Sequence, residues 1–264
     1  METASAAFRS TGSGPSVVCL HSSASSSGQW RALTERLAAS RRVIAADLYG
    51  YGQSPAWSHD RPLTIADEIR LLAPVWQEAG DRFDLVGHSY GAAIALIFAL
   101  AHPERIRSLT LYEPVLIAAI MQDDPTQPAG LEISRIRDTT SEAVERGDLA
   151  GAGALFVDYW MGAGSWAATP DKRRQLIATT MAKVRAEWHA IFTEPTSIAA
   201  FGRLAIPTRY LVGGASPSAP RRVAELLSAV LPAVRVVELP GIGHMGPVTH
   251  PDPVNAEIQA SLEA

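Results

Sequence analysis

The sequence predicts an α/β fold, a mostly parallel sheet with a block of helices inserted into it. Three observations carry this. Short apolar runs alternate with helix-length segments in both halves of the chain, the pattern of strand–helix–strand units in a parallel sheet. Between residues 117 and 202 the strand pattern stops and only helical segments appear. The stretch Gly87-His88-Ser89-Tyr90-Gly91 joins an apolar run to an Ala/Leu/Ile-rich one. A strand followed by a helix is the context in which Gly-x-Ser-x-Gly exposes a serine on a sharp turn.

The elements follow in order. A weak strand candidate lies at 6–9, and the first clear strand at 17–21. A Ser-rich loop over 21–28 leads to a helix at 29–39 and a strand at 43–47. The Gly-rich turn at 48–55 follows. Residues 64–78 read as one helix, with Ile65, Ile69, Leu72 and Trp76 on its apolar face. The strand at 83–88 enters the Ser89 turn, the next helix ends near Pro103, and a strand at 109–113 stops at Pro114. Helical segments are expected at 131–146, 149–160 and 171–192, interrupted at Gly162-Ala163-Gly164. Alternation resumes with a strand at 207–213, a helix at 221–231, a strand at 234–239 and a helix at 254–262.

Bulk properties narrow the function. With 264 residues, 47% of them hydrophobic, the chain can bury a large core as one domain with an excursion. A net charge of −4 with both signs scattered offers no basic stripe for nucleic acid and no polybasic run for a membrane surface. The one cysteine, Cys19, sits in the apolar run Val17-Val18-Cys19-Leu20, so no intrachain disulfide forms and a packing role is expected. Residues 1–13 are small and polar without an apolar signal core, and no stretch approaches the ~20 apolar residues of a membrane span. A cytoplasmic location is the expectation. No metal-ligand spacing occurs, and Gly50-x-Gly52 lacks the third glycine and acid partner of a dinucleotide fingerprint. No cofactor is expected, and the expected partner is a small-molecule substrate. The oligomeric state stays open.

His21 with its loop, Asp47-x-x-Gly50-x-Gly52-x-Ser54, Gly87-His88-Ser89-Tyr90-Gly91 and Pro240-Gly241-x-Gly243-His244 occur in this order. Together they resemble the α/β-hydrolase fold superfamily across nearly the whole chain. The resemblance implies an α/β-hydrolase core at 1–115 and 203–264, with a helical cap at 116–202. It implies Ser89 as nucleophile and His244 as its base. It implies an oxyanion hole of backbone N–H groups, from Tyr90 and from Ser23 in the first loop, although Ser22 stands where the family commonly has glycine.

The acid is the open position. The family usually carries it after the strand that follows the cap, where this chain has Ser216 and no Asp or Glu from 208 to 222. Some relatives carry it after the strand beyond the serine turn, which here is Glu113. Glu113 completing a triad and a Ser–His dyad both stand. The Asp47 turn reads as bracing, and Asp252 as a helix cap. Trp160, Trp166 and Met245 are expected to wall the substrate pocket.

The resemblance thus implies a serine hydrolase that cleaves an ester, lactone or related acyl bond of a small, fairly apolar molecule. Two alternatives use the same residues or fold. One is cofactor-free perhydrolysis or C–C bond hydrolysis. The other is a ligand-binding protein with weak or no turnover, favoured by the absent acid at Ser216. A surface-interaction role without a pocket leaves the helical block unexplained.

Overall fold

The computed structural model describes residues 4–263. The start of the polar 1–13 stretch and residue 264 lie outside the described residues. Seven strands form one sheet, β1 (Phe8–Thr11), β2 (Ser16–Leu20), β3 (Arg42–Ala46), β4 (Phe83–His88), β5 (Ile106–Tyr112), β6 (Thr208–Gly213) and β7 (Val234–Leu239). Their spatial order is β1-β3-β2-β4-β5-β6-β7. β1 runs antiparallel to β3, and every other neighbouring pair is parallel. The weak strand expected at 6–9 is this short antiparallel edge, shifted toward Thr11.

β2 and β4 are buried along their whole length. That explains their continuous apolar runs, because a parallel strand covered on both faces has no solvent side to alternate with. On one face, Val17, Cys19 and Val43 pack against Leu33 and Leu37 of α1 (Arg31–Leu37) and against Val254 and Ile258 near the chain end. Cys19 is buried there, a packing residue whose thiol is pushed up out of reach of ionisation by burial. On the other face, Val18, Leu20, Ile44 and Leu85 pack against α2 (Ile65–Leu71), α3 (Ala73–Ala79) and α4 (Tyr90–Ala101).

The single helix expected at 64–78 is two. Thr64 caps α2 with a reciprocal bond to Asp67. Leu72 then leaves helical geometry at φ −76°, ψ 4°, and α3 begins with Pro74 in its first turn. Proline has no N–H to continue the ladder and crowds the carbonyl four residues back, so the helix breaks before it.

Between β5 and β6 lie five α-helices, a short 3-10 helix (Ile198–Arg203) and no strand among the described residues: α5 (Ala118–Asp123), α6 (Pro128–Glu145), α7 (Leu149–Met161), α8 (Ser165–Ala168) and α9 (Asp171–Phe192). The block is pinned to the sheet domain by one buried charge cluster. Lys183 of α9 donates to Glu68 of α2 at 2.9 Å and to Glu187, one turn on, at 2.7 Å. Burial opposes the charge on Lys183, and the Glu187 and Glu68 carboxylates outweigh it, leaving its pKa raised. The chain closes with α10 (Ser218–Ser228), α11 (Gly246–Thr249) and α12 (Pro251–Leu262).

The turn between β4 and α4 is tight enough to require two glycines. A Cβ on Gly87 would lie 2.5 Å from Ala92 Cα, and one on Gly91 would lie 2.5 Å from the carbonyl oxygens of Leu20 and His21. Gly91 also donates its N–H to His21 O at 3.1 Å, which ties α4 to the loop after β2. A methyl group at Gly91 therefore drives that loop away from Ser89. Gly91→Ala is expected to cost about 1–3 kcal/mol, the range of overpacking. Urea denaturation measures it, and an unchanged midpoint contradicts the contact.

Candidate active site

Ser89 sits between β4 and α4 with φ 56° and ψ −116°. A left-handed φ is strained for any residue with a Cβ, by about 1–3 kcal/mol. It is held by hydrogen bonds on both sides: Ser89 donates its N–H to Tyr112 O at 2.9 Å, and its carbonyl accepts from Ala92 and Ala93 at 3.0 Å and from Val115 at 3.3 Å. The conformation lifts the hydroxyl out of the sheet at the positive end of α4, where negative charge is favoured.

His244 lies in the loop after β7, with its ring Nε2 2.9 Å from Ser89 Oγ and its Nδ1 2.6 Å from Glu113 Oε2. A carboxylate only accepts, so Nδ1 carries the proton and Nε2 is left to accept from the serine hydroxyl. Three bonds fix the loop: Tyr112 donates its hydroxyl to Gly243 O at 2.7 Å, His88 donates Nε2–H to His244 O at 2.8 Å, and Ala215 N–H donates to Ile242 O at 3.0 Å.

Glu113 follows β5 in left-handed geometry, φ 44°. Its second oxygen accepts from Gly213 N–H at 2.7 Å, so both oxygens of a fully buried carboxylate are used. Ser216, at the position where the family usually has its acid, makes no hydrogen bond through its buried hydroxyl to a described residue. The carboxylate at the His244 ring is therefore that of Glu113, and the arrangement is a chain of three side chains.

The N–H groups near Ser89 divide cleanly. Gly91 N–H goes to His21 O, and Ser22 N–H to the Gln29 side chain at 3.2 Å. Among the described residues nothing accepts from the backbone N–H of Ser23 or of Tyr90. Ser22 thus takes a local partner of its own, and the following amide stays free. Asp47 accepts from Ser27 N–H at 2.6 Å and Gln53 N–H at 3.0 Å, bracing this loop against the Gly50–Gly52 turn.

A cavity of about 240 Å³ opens at Ser89, lined by Ser23, Trp160, Met245, His244 and the apolar face of α9, including Ile177 and Val184. The Trp160 and His244 rings lie 4.2 Å apart between centroids, tilted by 31°. Trp166, expected on the pocket wall, does not line the cavity. It packs instead on Gly153, where a Cβ would come within 2.8 Å of its ring, and beneath the Arg174 guanidinium. The Tyr90 side chain also turns away, toward Glu68 at 3.3 Å. Reading the sequence missed Arg173 and Glu187, which line the cavity. The i,i+4 spacing of Lys183 and Glu187 beside apolar positions was the available signal for the second.

Among the described residues no group of three or more His, Cys, Asp or Glu is placed to hold a metal ion, and no helix is long and apolar enough to cross a membrane.

These features coincide with a known family. Over residues 15–251 the chain matches the α/β hydrolase fold, and it belongs to that family. Several curated relatives bear enzyme names. One is haloalkane dehalogenase of Agrobacterium fabrum, 39% identical over 107 residues, which are 40% of this chain and 34% of that protein. The chain thus spans about a third of that relative's length. Another is the pimeloyl-[acyl-carrier protein] methyl ester esterase of Edwardsiella ictaluri, 28% identical over 251 residues, 92% of this chain and 91% of that protein. A thermophilic esterase from Thermogutta terrifontis superposes with a TM-score of 0.76 at 25% identity, covering 98% and 93% of the two chains. Family and relatives together support a hydrolase enzyme.

Two buried histidines near the site set a pH limit. Burial is the main cause that lowers the His21 pKa from 6.5 to about 4, and it holds His88 well below 6.5. Both are neutral in the native state, and both return to ~6.5 on unfolding. Between ~6.5 and the native values the unfolded chain binds more protons, so stability is full above that window and falls as pH drops through it. The denaturation midpoint is expected to decline from neutral pH toward about 4, with a shallower decline in His21→Gln. A midpoint independent of pH over that range contradicts it.

Proposed function

We propose that the protein hydrolyses an ester, lactone or related acyl bond of a small, fairly apolar molecule through an acyl-enzyme. One observation carries the reading: Ser89, His244 and Glu113 form a continuous hydrogen-bonded chain, at 2.9 and 2.6 Å, in the wall of an apolar cavity. A serine hydroxyl is a weak nucleophile until a base takes its proton. His244 Nε2 is placed for that, and Glu113 holds the tautomer and stabilises the imidazolium. As Ser89 Oγ bonds to the carbonyl carbon, the carbonyl oxygen becomes an oxyanion. The free N–H groups of Ser23 and Tyr90 are the donors available to it. His244 then gives its proton to the leaving alcohol. Water, deprotonated by the same ring, attacks the acyl-enzyme and returns Ser89.

The full-length relative named as a methyl ester esterase supports ester chemistry. The binding-protein alternative drew on a missing carboxylate, and Glu113 supplies one from a neighbouring strand.

A fluorophosphonate should label Ser89, located by mass spectrometry, and Ser89→Ala should lower hydrolysis of p-nitrophenyl butyrate by on the order of 10⁴–10⁶ without changing the melting temperature. Full activity in a folded Ser89→Ala protein overturns the mechanism. Glu113→Gln should cost about 10²–10⁴ in turnover, because an amide there favours the wrong tautomer. Near wild-type turnover would leave Ser89 and His244 acting as a dyad.

The helices between β5 and β6 supply the wall that selects substrate. Trp160→Ala is expected to shift the preferred acyl length in a p-nitrophenyl ester series. Trp166→Ala is expected to lower the melting temperature and leave the preference in place. Identical ester profiles for wild type and Trp160→Ala argue against the wall.

A further inference from the structure

The cavity holds one charge that acyl transfer leaves unused. Besides the His244 ring, its lining among the described residues carries two charged side chains, Arg173 and Glu187. Glu187 is compensated by Lys183 at 2.7 Å. Arg173 has no such partner. It lies in the first turn of α9 and donates one guanidinium N–H to Ala24 O at 3.1 Å. Among the described residues no carboxylate pairs with it.

The acids nearest to it in sequence are committed elsewhere. Asp171 pairs with Arg174, Asp158 accepts from Trp166 N–H at 2.7 Å, and Glu187 faces Lys183. Although Arg173 is exposed, its surroundings desolvate it enough to lower its pKa, and no acid offsets that. A guanidinium stays charged regardless. The bond to Ala24 O holds it beside the loop whose Ser23 N–H is free. Thr169 and Pro170, at the positive end of α9, line the same cavity.

A guanidinium has five N–H donors and no acceptor. One donor is used on Ala24, and the rest stand in the wall of an otherwise mostly apolar cavity without an acid. Such a cation is a place for an anion. Its planar fork of N–H groups matches the two oxygens of a carboxylate. One positive charge balances one negative charge, so a carboxylate fits where a phosphate dianion leaves a surplus in a cavity that Glu187 also lines. An ammonium is repelled.

We propose that Arg173 is a specificity-determining residue: its guanidinium pairs with a carboxylate that the substrate carries a few bonds away from the scissile carbonyl. The substrate class is therefore a carboxylate-bearing ester or lactone, apolar elsewhere, rather than a plain alkyl ester. This inference rests on the hydrolase reading for its reacting bond, and on the cavity alone for its anion.

The test compares esters that differ only at the far end, in carboxylate, primary amide or ammonium. Methyl esters of straight-chain acids form one series of graded length, and butyrates of straight-chain alcohols form the other. The two series separate a carboxylate on the acyl side from one on the alcohol side. At one length the carboxylate probe should exceed its amide counterpart about tenfold or more in kcat/KM, the scale of a hydrogen bond to a charged group, and the ammonium probe should rank last. Added salt should shrink that ratio, because the guanidinium is exposed. Arg173→Gln should abolish the preference, and Arg173→Lys, which keeps the charge without the fork, should lose part of it. A purely structural role through Ala24 O would slow all probes alike and leave the ratio in place in Arg173→Gln, which overturns the subsite. Calorimetric binding of the same probes to the Ser89→Ala protein should give the wild-type ranking without turnover. Turnover of the amide probes with no carboxylate preference at any length overturns the subsite and leaves the hydrolase reading standing. Carboxylate-selective binding that Arg173→Gln removes, without hydrolysis of any probe, keeps the subsite and overturns the hydrolase reading. Absence of carboxylate preference in both turnover and binding overturns the subsite.

Discussion

The crossing of strand and helix at Ser89 is the constraint on which the rest of the molecule depends. A left-handed serine there needs a structure around it that over-determines the backbone. The structure supplies it through Gly87 and Gly91, which let α4 and the loop after β2 press against the turn, and through hydrogen bonds from both flanks. Among the described residues only Ala24, Ser89 and Glu113 combine a side chain with a positive φ. Ser89 and Glu113 lie in one chain of contacts, and Ala24 lines the cavity beside it. Backbone strain in this protein is thus concentrated where side chains must point against the ordinary course of a strand.

A second constraint is the charge cluster beneath α9. Buried ions are expensive to desolvate, and an uncompensated one is more so. Lys183 satisfies this in a register of α9 that brings its ammonium to Glu68 of α2, while Glu187 stays in reach one turn along the same helix. The cluster therefore ties α9 to α2 at one point. That register places Ile177, Val184 and Trp188 along the cavity. The shape of the pocket and the pairing of buried charge are one problem with one solution.

Under the proposed mechanism, chemistry and selectivity come from different parts of the chain. Sheet loops carry the hydroxyl, the imidazole, the carboxylate and the free N–H groups. Inserted helices carry most of the cavity wall. Such a division allows one scaffold to host many reactions by changing the wall, consistent with the varied enzyme names borne by its relatives.

Periodicity and turn chemistry are local, and what they encode was legible in the sequence. The parallel sheet, the strand-free block between β5 and β6, and the turn at Ser89 could all be read from stretches of a dozen residues. Only at Pro74 did a local signal, a proline inside a helical pattern, divide a helix read as continuous. The approach of His244 to Ser89 spans 155 residues and that of Glu113 to His244 spans 131, so no periodicity reports either. They were nameable through the order of motifs, and the rival places for the acid could not be separated. Tertiary structure put the Glu113 carboxylate, and not the Ser216 hydroxyl, at the His244 ring, because that depends on where two adjacent strands end. It also decided which tryptophan faces the cavity, since that follows from the rotation of helices about their own axes. And it brought Lys183 of α9 to Glu68 of α2, 115 residues away, a pairing that neither helix's sequence contains.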